Sequence, residues 1–302
     1  MKKREKTPMG ISEQGKTIES SLSLGDGMKQ QKKAAKKKCL LYTYCIIDYP
    51  TRKQLLLPNK TELGEVHPIA FQDVAALVSE VSPIEFNQQE IDKKTKDLSW
   101  LTDTATKHEQ VLEHIMNTTI PIPMKLCTIF TSKKNVIEML KQNYPQFKNN
   151  LRRIENKVEL GVTAYCNLNI LKTKLMQTSQ KTMNLQKQIS NTTPGKAYFL
   201  KQELEELTAT ETRKQAQTLA DEIFQKTKQT SEESVLNNPL SKEATQSTDD
   251  MILNAAYLVR KENVETFKTQ FQEAKKHYNN FGVELKLTGP WPPYNFCQSD
   301  QT

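Results

Sequence analysis

One short run near the N-terminus has the residue types and spacing of a phosphate-binding loop. Residues 10–17 fit the pattern G-x-x-x-x-G-K-T, whose backbone N–H groups and lysine hold nucleotide phosphates. Such a loop works only where a buried strand delivers it and a helix N-terminus receives the phosphates. The residues before Gly10 are mostly polar and charged, so they cannot form a buried strand. We therefore predict a chance match, and a nucleotide-dependent enzyme is an alternative that rests on this run alone.

The histidines and cysteines do not follow the spacings of catalytic or metal sites. His108 and His114 are six residues apart, so they do not share a helix face as metal ligands at i and i+4 would. We predict that both are structural. The cysteines are widely spaced and form no CxxC pair, which favours reduced thiols in the cytoplasm over a disulfide or zinc framework. The five are Cys39, Cys45, Cys127, Cys166 and Cys297. We predict a protein that is not an enzyme, with no catalytic residue, cofactor or metal.

Positive charge is concentrated at the N-terminus. Residues 1–38 hold eleven Lys or Arg and four acids, whereas the whole chain has a formal net charge of +8. This segment has no apolar periodicity, so we predict a disordered basic tail. Nucleic-acid binding through the tail is therefore an alternative function. Because the remaining residues are nearly neutral, we expect at most weak, salt-sensitive binding and no specific nucleic-acid site.

Apolar patterning after the tail predicts an α+β fold with two α+β domains in series. In the N-terminal domain, residues 39–156, β-branched and aromatic runs indicate strands, and steps of three and four indicate helices. The predicted strands are 40–47, 74–81 and one within 120–130. The predicted helices are 99–117 with Ser99 as N-cap, one after Ser132 and one from Pro145.

The C-terminal domain, residues 157–297, repeats this alternation. Its helices would cover one face of a small antiparallel sheet, so we predict a ferredoxin-like fold. Residues 168–190 carry four lysines and no acid. This composition is typical of a solvated helix face, and a binding surface is the alternative. From about 226 to 250 the polar composition predicts a flexible insert. The predicted strands are 158–166, 255–259 and 283–287, and the main helices run from Pro194 through Ile223 and over 264–281. No run approaches the roughly 18 apolar residues of a membrane span, so we expect no membrane contact.

The decamer of residues 287–296 is unusually rich in proline and aromatic residues. Gly289 and Pro290 are predicted to end the preceding strand, and the prolines make the following segment stiff and extended. We predict a structural strap over the C-terminal domain, in which Trp291 is anchored against the preceding helix. The helix residues expected near it are Phe267, Phe271 and Tyr278. The strap residues are Gly289, Pro290, Trp291, Pro292, Pro293, Tyr294 and Phe296.

This decamer resembles the C-terminal signature of the gas vesicle protein F/L (GvpF/GvpL) family. Four other runs are similar to the same family, namely 123–130, 159–162, 194–200 and 256–259. Leu160 replaces the Trp that the family has in its Glu-Trp-Gly-Val strand, and Cys127 stands where the family usually has Gly. The resemblance extends from about residue 40 to residue 297 and does not include the basic tail.

The resemblance implies a minor structural or accessory protein of the gas vesicle, with an N-terminal α+β domain and a ferredoxin-like C-terminal domain. It implies binding to the small, very hydrophobic shell protein GvpA and a role in the nucleation and assembly of the vesicle. Other accessory gas vesicle proteins are further expected partners. The expected location is the gas vesicle within the cytoplasm, and the family supplies no catalytic residue.

Overall fold

The computed structural model of the chain describes residues 39–49 and 63–297. The predicted basic tail and the loop-like run of residues 10–17 lie outside these residues. Two antiparallel sheets flanked by helices make up the described part, which confirms the predicted α+β class. Among the described residues, no helix combines the length and the apolar content that crossing a bilayer would require.

The first sheet is built around a central strand that is buried along almost its whole length. The strands are β1 (Leu40–Asp48), β2 (Val66–Phe71), β3 (Val74–Val81), β4 (Ile122–Pro123) and β5 (Ile129–Phe130). The central strand is β1, which pairs antiparallel with β3, β4 and β5. The edge strand β2 pairs antiparallel with β3. Burial on both faces explains why β1 is continuously apolar rather than alternating.

Helices cover both faces of this sheet. Val136 and Leu140 belong to the core on one face, and Leu112 and Ile115 belong to the core on the other. The helices are α1 (Pro83–Phe86), α2 (Gln88–Lys94), α3 (Leu98–Met116), α4 (Lys133–Gln142) and α5 (Tyr144–Ile154). The N-cap of α3 is Asp97 rather than the predicted Ser99, because its carboxylate accepts the backbone N–H of Ser99 at 2.9 Å.

The second sheet has the strand order β7-β8-β6-β9, with every neighbouring pair antiparallel. Its strands are β6 (Lys157–Cys166), β7 (Glu233–Leu236), β8 (Asp250–Arg260) and β9 (Val283–Trp291). Its helices are α6 (Leu168–Thr178), α7 (Gln180–Ser190), α8 (Pro194–Lys228), α9 (Lys242–Thr245), α10 (Val264–Asn279) and α11 (Tyr294–Cys297). The amphipathic stripe of α10 places Phe267, Phe271 and Tyr278 in the main core of this sheet, beside Ile223 of α8.

Three local predictions need correction. The stretch predicted as a flexible insert contains β7, which pairs with β8, and the short helix α9. β9 does not end at Gly289 but continues to Trp291, since it is an edge strand and a proline there removes no ladder hydrogen bond. The strand expected within 120–130 is two short strands joined by a turn at Cys127, whose φ of +61° is a conformation that favours glycine.

Candidate functional site at the C-terminal segment

The segment after the regular part of β9, residues 288–297, is named here the C-terminal segment. An irregularity in the pairing of β9 with β6 places Thr288 opposite Gly161 and Trp291 opposite Glu159. A Cβ atom on Gly161 would stand 2.5 Å from the Thr288 hydroxyl oxygen, so a larger residue there would require the Thr288 side chain to move. Gly289 has a φ of +100°, and a Cβ there would stand 2.8 Å from the Glu159 carbonyl oxygen. Both glycines therefore let the segment lie tightly against β6.

A buried carboxylate on β6 binds the turn that follows β9. Glu159 is 5% exposed, and its two carboxylate oxygens accept hydrogen bonds from the Asn295 backbone N–H at 2.8 Å and from Asn295 Nδ2 at 2.6 Å. Burial raises the pKa of the Glu159 carboxyl, and the two donors on Asn295 partly offset that rise. The paired hydrogen bonds satisfy a polar group that would otherwise be costly to bury.

Tyr294 reaches from the segment to α3. Its hydroxyl donates a hydrogen bond of 2.6 Å to Glu109 Oε1, and its ring packs against the cluster of Tyr42, Tyr44 and Leu112 beneath α3. Burial raises the pKa of Tyr294, and the Glu109 carboxylate raises it further, so the phenol is a neutral donor. Burial likewise raises the pKa of Glu109. This contact joins the end of the chain to the helix that covers the first sheet.

The last two described residues are buried in different cores. Phe296 is 3% exposed and packs on Ala256 and Leu258, on the face of β8 opposite the α8–α10 core. Cys297 is buried in the core between the first sheet and helices α4 and α5. Its carbonyl oxygen accepts a hydrogen bond of 3.3 Å from Asn150 Nδ2 of α5. The segment therefore runs from the edge of the second sheet into the core of the first.

Arg153 of α5 secures this crossing from the outside. Its Nη1 donates to the Phe296 carbonyl oxygen at 3.2 Å, and its Nε donates to Glu233 Oε1 at 2.7 Å. Arg153 Nη2 also forms an ion pair with Glu233 Oε2. Because both side chains remain partly exposed, solvent screening keeps the ion pair modest in energy. Its main effect is geometric, since it fixes α5 against β7 and the C-terminal segment.

The structure places the predicted strap residues in two groups. Gly289 and Pro290 are exposed, whereas Pro292, Pro293 and Phe296 are buried and Tyr294 is half-buried. Trp291 is 38% exposed and is not a member of the described core that contains Phe267, Phe271 and Tyr278. Its predicted anchorage against α10 is therefore wrong. The reason is its position at the end of an edge strand, beyond the stripe of Val283 and Leu285 that enters that core.

Sequence reasoning missed the residues that hold the segment in place. Glu159 was visible as a lone acid in an apolar strand, a pattern that signals a buried carboxylate but does not identify its partner. Glu109, Asn150 and Arg153 lie in amphipathic helices, where polar residues are expected on the solvent face. Within the described parts of the chain, no cluster of three His, Cys, Asp or Glu side chains could hold a metal ion.

Comparison with known proteins gives a consistent result. A family model described as gas vesicle synthesis protein GvpL/GvpF matches residues 40–298. Gas vesicle protein L of a Streptomyces species is 25% identical over 229 residues, which cover 74% of this chain and 80% of that protein. Gas vesicle protein F1 of Halobacterium salinarum is 23% identical over 258 residues, which cover 85% of this chain and 92% of that protein.

Two crystal structures share the fold. GvpF from Anabaena sp. PCC7120 has a TM-score of 0.63 at 17% identity, with 87% of this chain and 98% of that chain covered. GvpF from Microcystis aeruginosa has a TM-score of 0.62 at 17% identity, and the alignment covers 86% of this chain and 99% of that chain. At such identity the likeness concerns the fold, and it includes both antiparallel sheets because nearly the whole described chain is aligned.

Proposed function

The chain belongs to the GvpL/GvpF family of gas vesicle synthesis proteins, and on that premise we propose that it is a minor structural or accessory protein that binds the shell protein GvpA. In this role it supports the nucleation and assembly of the gas vesicle, acts within the cytoplasm and performs no catalysis. Other accessory gas vesicle proteins are further partners in the proposal.

The observation that carries this proposal is the family match over residues 40–298, which takes in both sheets and the C-terminal segment. The surface is compatible with an apolar partner, since several large apolar side chains lie exposed. They include Ile84, Leu98, Tyr198, Phe199 and Trp291.

The proposal also covers the architecture of the second half. From β6 to β9 the longer elements follow the order strand, helices, strand, strand, helix, strand, with the four-residue α9 between β7 and β8, and the sheet order is β7-β8-β6-β9. This order supports a ferredoxin-like C-terminal domain at residues 157–297, beside an N-terminal α+β domain at residues 39–156. The residues of the C-terminal segment that lie against the N-terminal domain, Tyr294 and Cys297, would then act as a strap between the domains.

Co-expression tests the function directly. The tagged full-length chain, produced together with GvpA, is expected to retain GvpA on an affinity resin, and a strain lacking the chain and any paralogue is expected to make no normal vesicles. Normal vesicles in that strain would contradict the proposal.

A second experiment distinguishes this function from nucleic-acid binding through the tail. It uses a variant without residues 1–38 and a nuclease treatment before capture. GvpA capture that required the tail and was abolished by nuclease would favour that alternative.

A further inference from the structure

Helix α7 and the first part of α8 lie beyond the core of the second sheet. No described residue from 176 to 215 belongs to that core, and the first buried residue of α8 is Thr208. Before Thr208, α8 packs along α7. We name residues 180–215 the arm. Its portion of α8, residues 194–215, is about 33 Å long, which is enough to lie beside another helix over several turns.

The side of α8 that faces away from α7 is exposed and carries two aromatic rings. Tyr198 is 61% exposed and Phe199 is 69% exposed, and their rings lie edge to face with 5.7 Å between centroids. They belong to a stripe whose members follow one another at steps of three and four residues, which is the spacing of a seam between paired helices. The stripe consists of Gly195, Tyr198, Phe199, Gln202, Glu205, Glu206, Ala209 and Arg213. Exposed apolar side chains clustered in this way mark an interaction surface.

The arm carries charges of both signs, and they are separated along α8. Residues 168–202 hold six lysines and no acid, and three glutamates follow within residues 203–206. Lys196, Lys201 and the three glutamates are exposed, and none of them forms an ion pair with a described residue. A positive stretch and a negative stretch therefore lie side by side at the aromatic pair, without partners in the described part of the chain.

We propose that the arms of two copies of this chain pair antiparallel around a two-fold axis near Gln202. Residues at equal distances on either side of Gln202 then face each other, which brings Lys201 of one copy beside Glu205 of the other and Lys196 beside Glu206. Lys201 and Glu205 lie on one flank of the stripe, and Lys196 and Glu206 lie on the other. A two-fold axis brings like flanks together, so both ion pairs form and each is repeated by symmetry. Parallel arms would instead place like charges together.

The aromatic rings fit the same arrangement. Tyr198 faces Glu206 of the second copy and Phe199 faces Glu205, so the rings pack on the aliphatic stems of these side chains. The Tyr198 hydroxyl accepts a hydrogen bond of 3.3 Å from Gln202 Nε2, and its own proton can be donated to the facing carboxylate. Because a single pair of helix faces buries less than the roughly 1,600 Å² of a standard interface, we expect a reversible dimer.

The other charges of the arm do not oppose this pairing. Glu211 is already paired with Lys181 at 3.2 Å. Arg213 and Lys214 lie opposite residues 190 and 191 of the second copy, which are serine and asparagine. Lys187 of α7 lines the cleft between α7 and the start of α8, so it adds positive charge on the side that the glutamates of the second copy approach.

Charge reversal with rescue tests the pairing. Lys201→Glu and Glu205→Lys each place like charges beside one another, whereas the double variant restores opposite charges in exchanged positions. Self-association of the full-length chain is measured by sedimentation equilibrium, after circular dichroism has confirmed each fold. We expect each single variant to weaken the dimer by about tenfold or more and the double variant to recover most of that loss. Lys275→Glu, at an exposed position of α10, is the matched control and should dimerise like wild type.

Three results would overturn the inference. The first is a wild-type chain that stays monomeric at its highest soluble concentration. The second is a dimer that both single variants form as well as wild type, since its interface would then lie outside the arm. The third is a double variant as weak as the single ones, because the two residues would then not face each other. The experiment contains no GvpA, so each of these results leaves the proposed function untouched.

Discussion

At the scale of single residues, the most distinctive environment is that of His108. The ring is 1% exposed, and its Nδ1 forms a hydrogen bond of 2.9 Å with the Tyr42 hydroxyl. The rings of Tyr42 and Tyr44 lie 5.7 and 5.6 Å from it, centroid to centroid. Burial lowers the pKa of His108 to about 4, although the Met124 carbonyl opposes the shift. The histidine is therefore a neutral core residue, which agrees with its predicted structural role.

This burial predicts a specific dependence of stability on pH. The unfolded chain takes up a proton at a histidine pKa of about 6.5, whereas folded His108 resists protonation down to about 4. The stability that neutral His108 contributes is complete above pH 6.5 and is lost as the pH falls towards 4, by up to about 3 kcal/mol. His108→Gln should be less stable than wild type at pH 7.5, and the gap should narrow at pH 5.

Urea unfolding at the two pH values measures this difference. His114→Gln is the control, since it removes an exposed imidazole from the same helix. If the free energy of unfolding changes equally with pH in wild type and in His108→Gln, protonation of His108 does not limit stability in acid.

At the scale of elements, the C-terminal segment decides how the end of the chain contributes to stability. Two of its aromatic side chains lie in opposite environments, because Phe296 is 3% exposed and Trp291 is 38% exposed. The Phe296 ring packs on Ala256 and Leu258, and the other described member of this cluster is the partly buried Val235. These three side chains are too few to fill the space that the ring occupies. Removal of the Phe296 ring should therefore leave a cavity, whereas removal of the Trp291 indole should not.

The two alanine variants are predicted to differ clearly in stability. Phe296→Ala should lower the free energy of unfolding by about 3 kcal/mol or more, the usual cost of removing a buried aromatic ring. Trp291→Ala should cost clearly less, because the indole is 38% exposed and its removal leaves a site open to solvent rather than a closed cavity. Chemical denaturation of both variants measures the difference. Equal losses would show that Trp291 is buried in solution, and loss of GvpA capture by a fully stable Trp291→Ala would make Trp291 a partner contact.

At the scale of the whole molecule, the contacts that cross between the two sheets should couple their unfolding. Cys297 lies in the core of the first sheet, Tyr294 contacts α3, and Arg153 joins α5 to β7. Val158 at the start of β6 also belongs to the core of the first sheet, although its strand belongs to the second. Neither sheet can lose its structure without exposing apolar surface of the other, so we expect one cooperative transition.

The positions of the two tryptophans allow a direct test of this coupling. The chain contains only Trp100 and Trp291, and they lie in α3 beside the first sheet and at the end of β9 in the second. Trp291→Phe leaves Trp100 as the sole indole reporter, and Trp100→Phe leaves Trp291. Fluorescence and circular dichroism should give the same urea midpoint within each variant. Two separated midpoints would mean that the halves unfold independently, with the C-terminal segment too weak to couple them.

Several properties of this protein follow from the sequence alone. The spacing of apolar residues located α3, α8 and α10, and the β-branched runs located β1, β3, β6 and β8. The proline- and aromatic-rich decamer, with four shorter runs, pointed to the GvpF/GvpL family, and the comparisons confirmed that membership. These features are local: the period of an apolar pattern records which face of an element is buried, and uncommon residues in a fixed order identify a family.

Only the tertiary structure decided what those elements contact. The end of β9 contains a proline that predicted a break, and β2 also contains a proline, yet edge pairing tolerates both because one side of each strand needs no N–H donor. Glu159 accepts a hydrogen bond from Asn295, which lies 136 residues later in the chain. Tyr294 donates a hydrogen bond to Glu109, which lies 185 residues earlier. A sequence pattern records that a side chain is polar or apolar but not which distant group satisfies it. The exposed Trp291 and the buried Cys297 therefore became evident only when the two sheets were seen together.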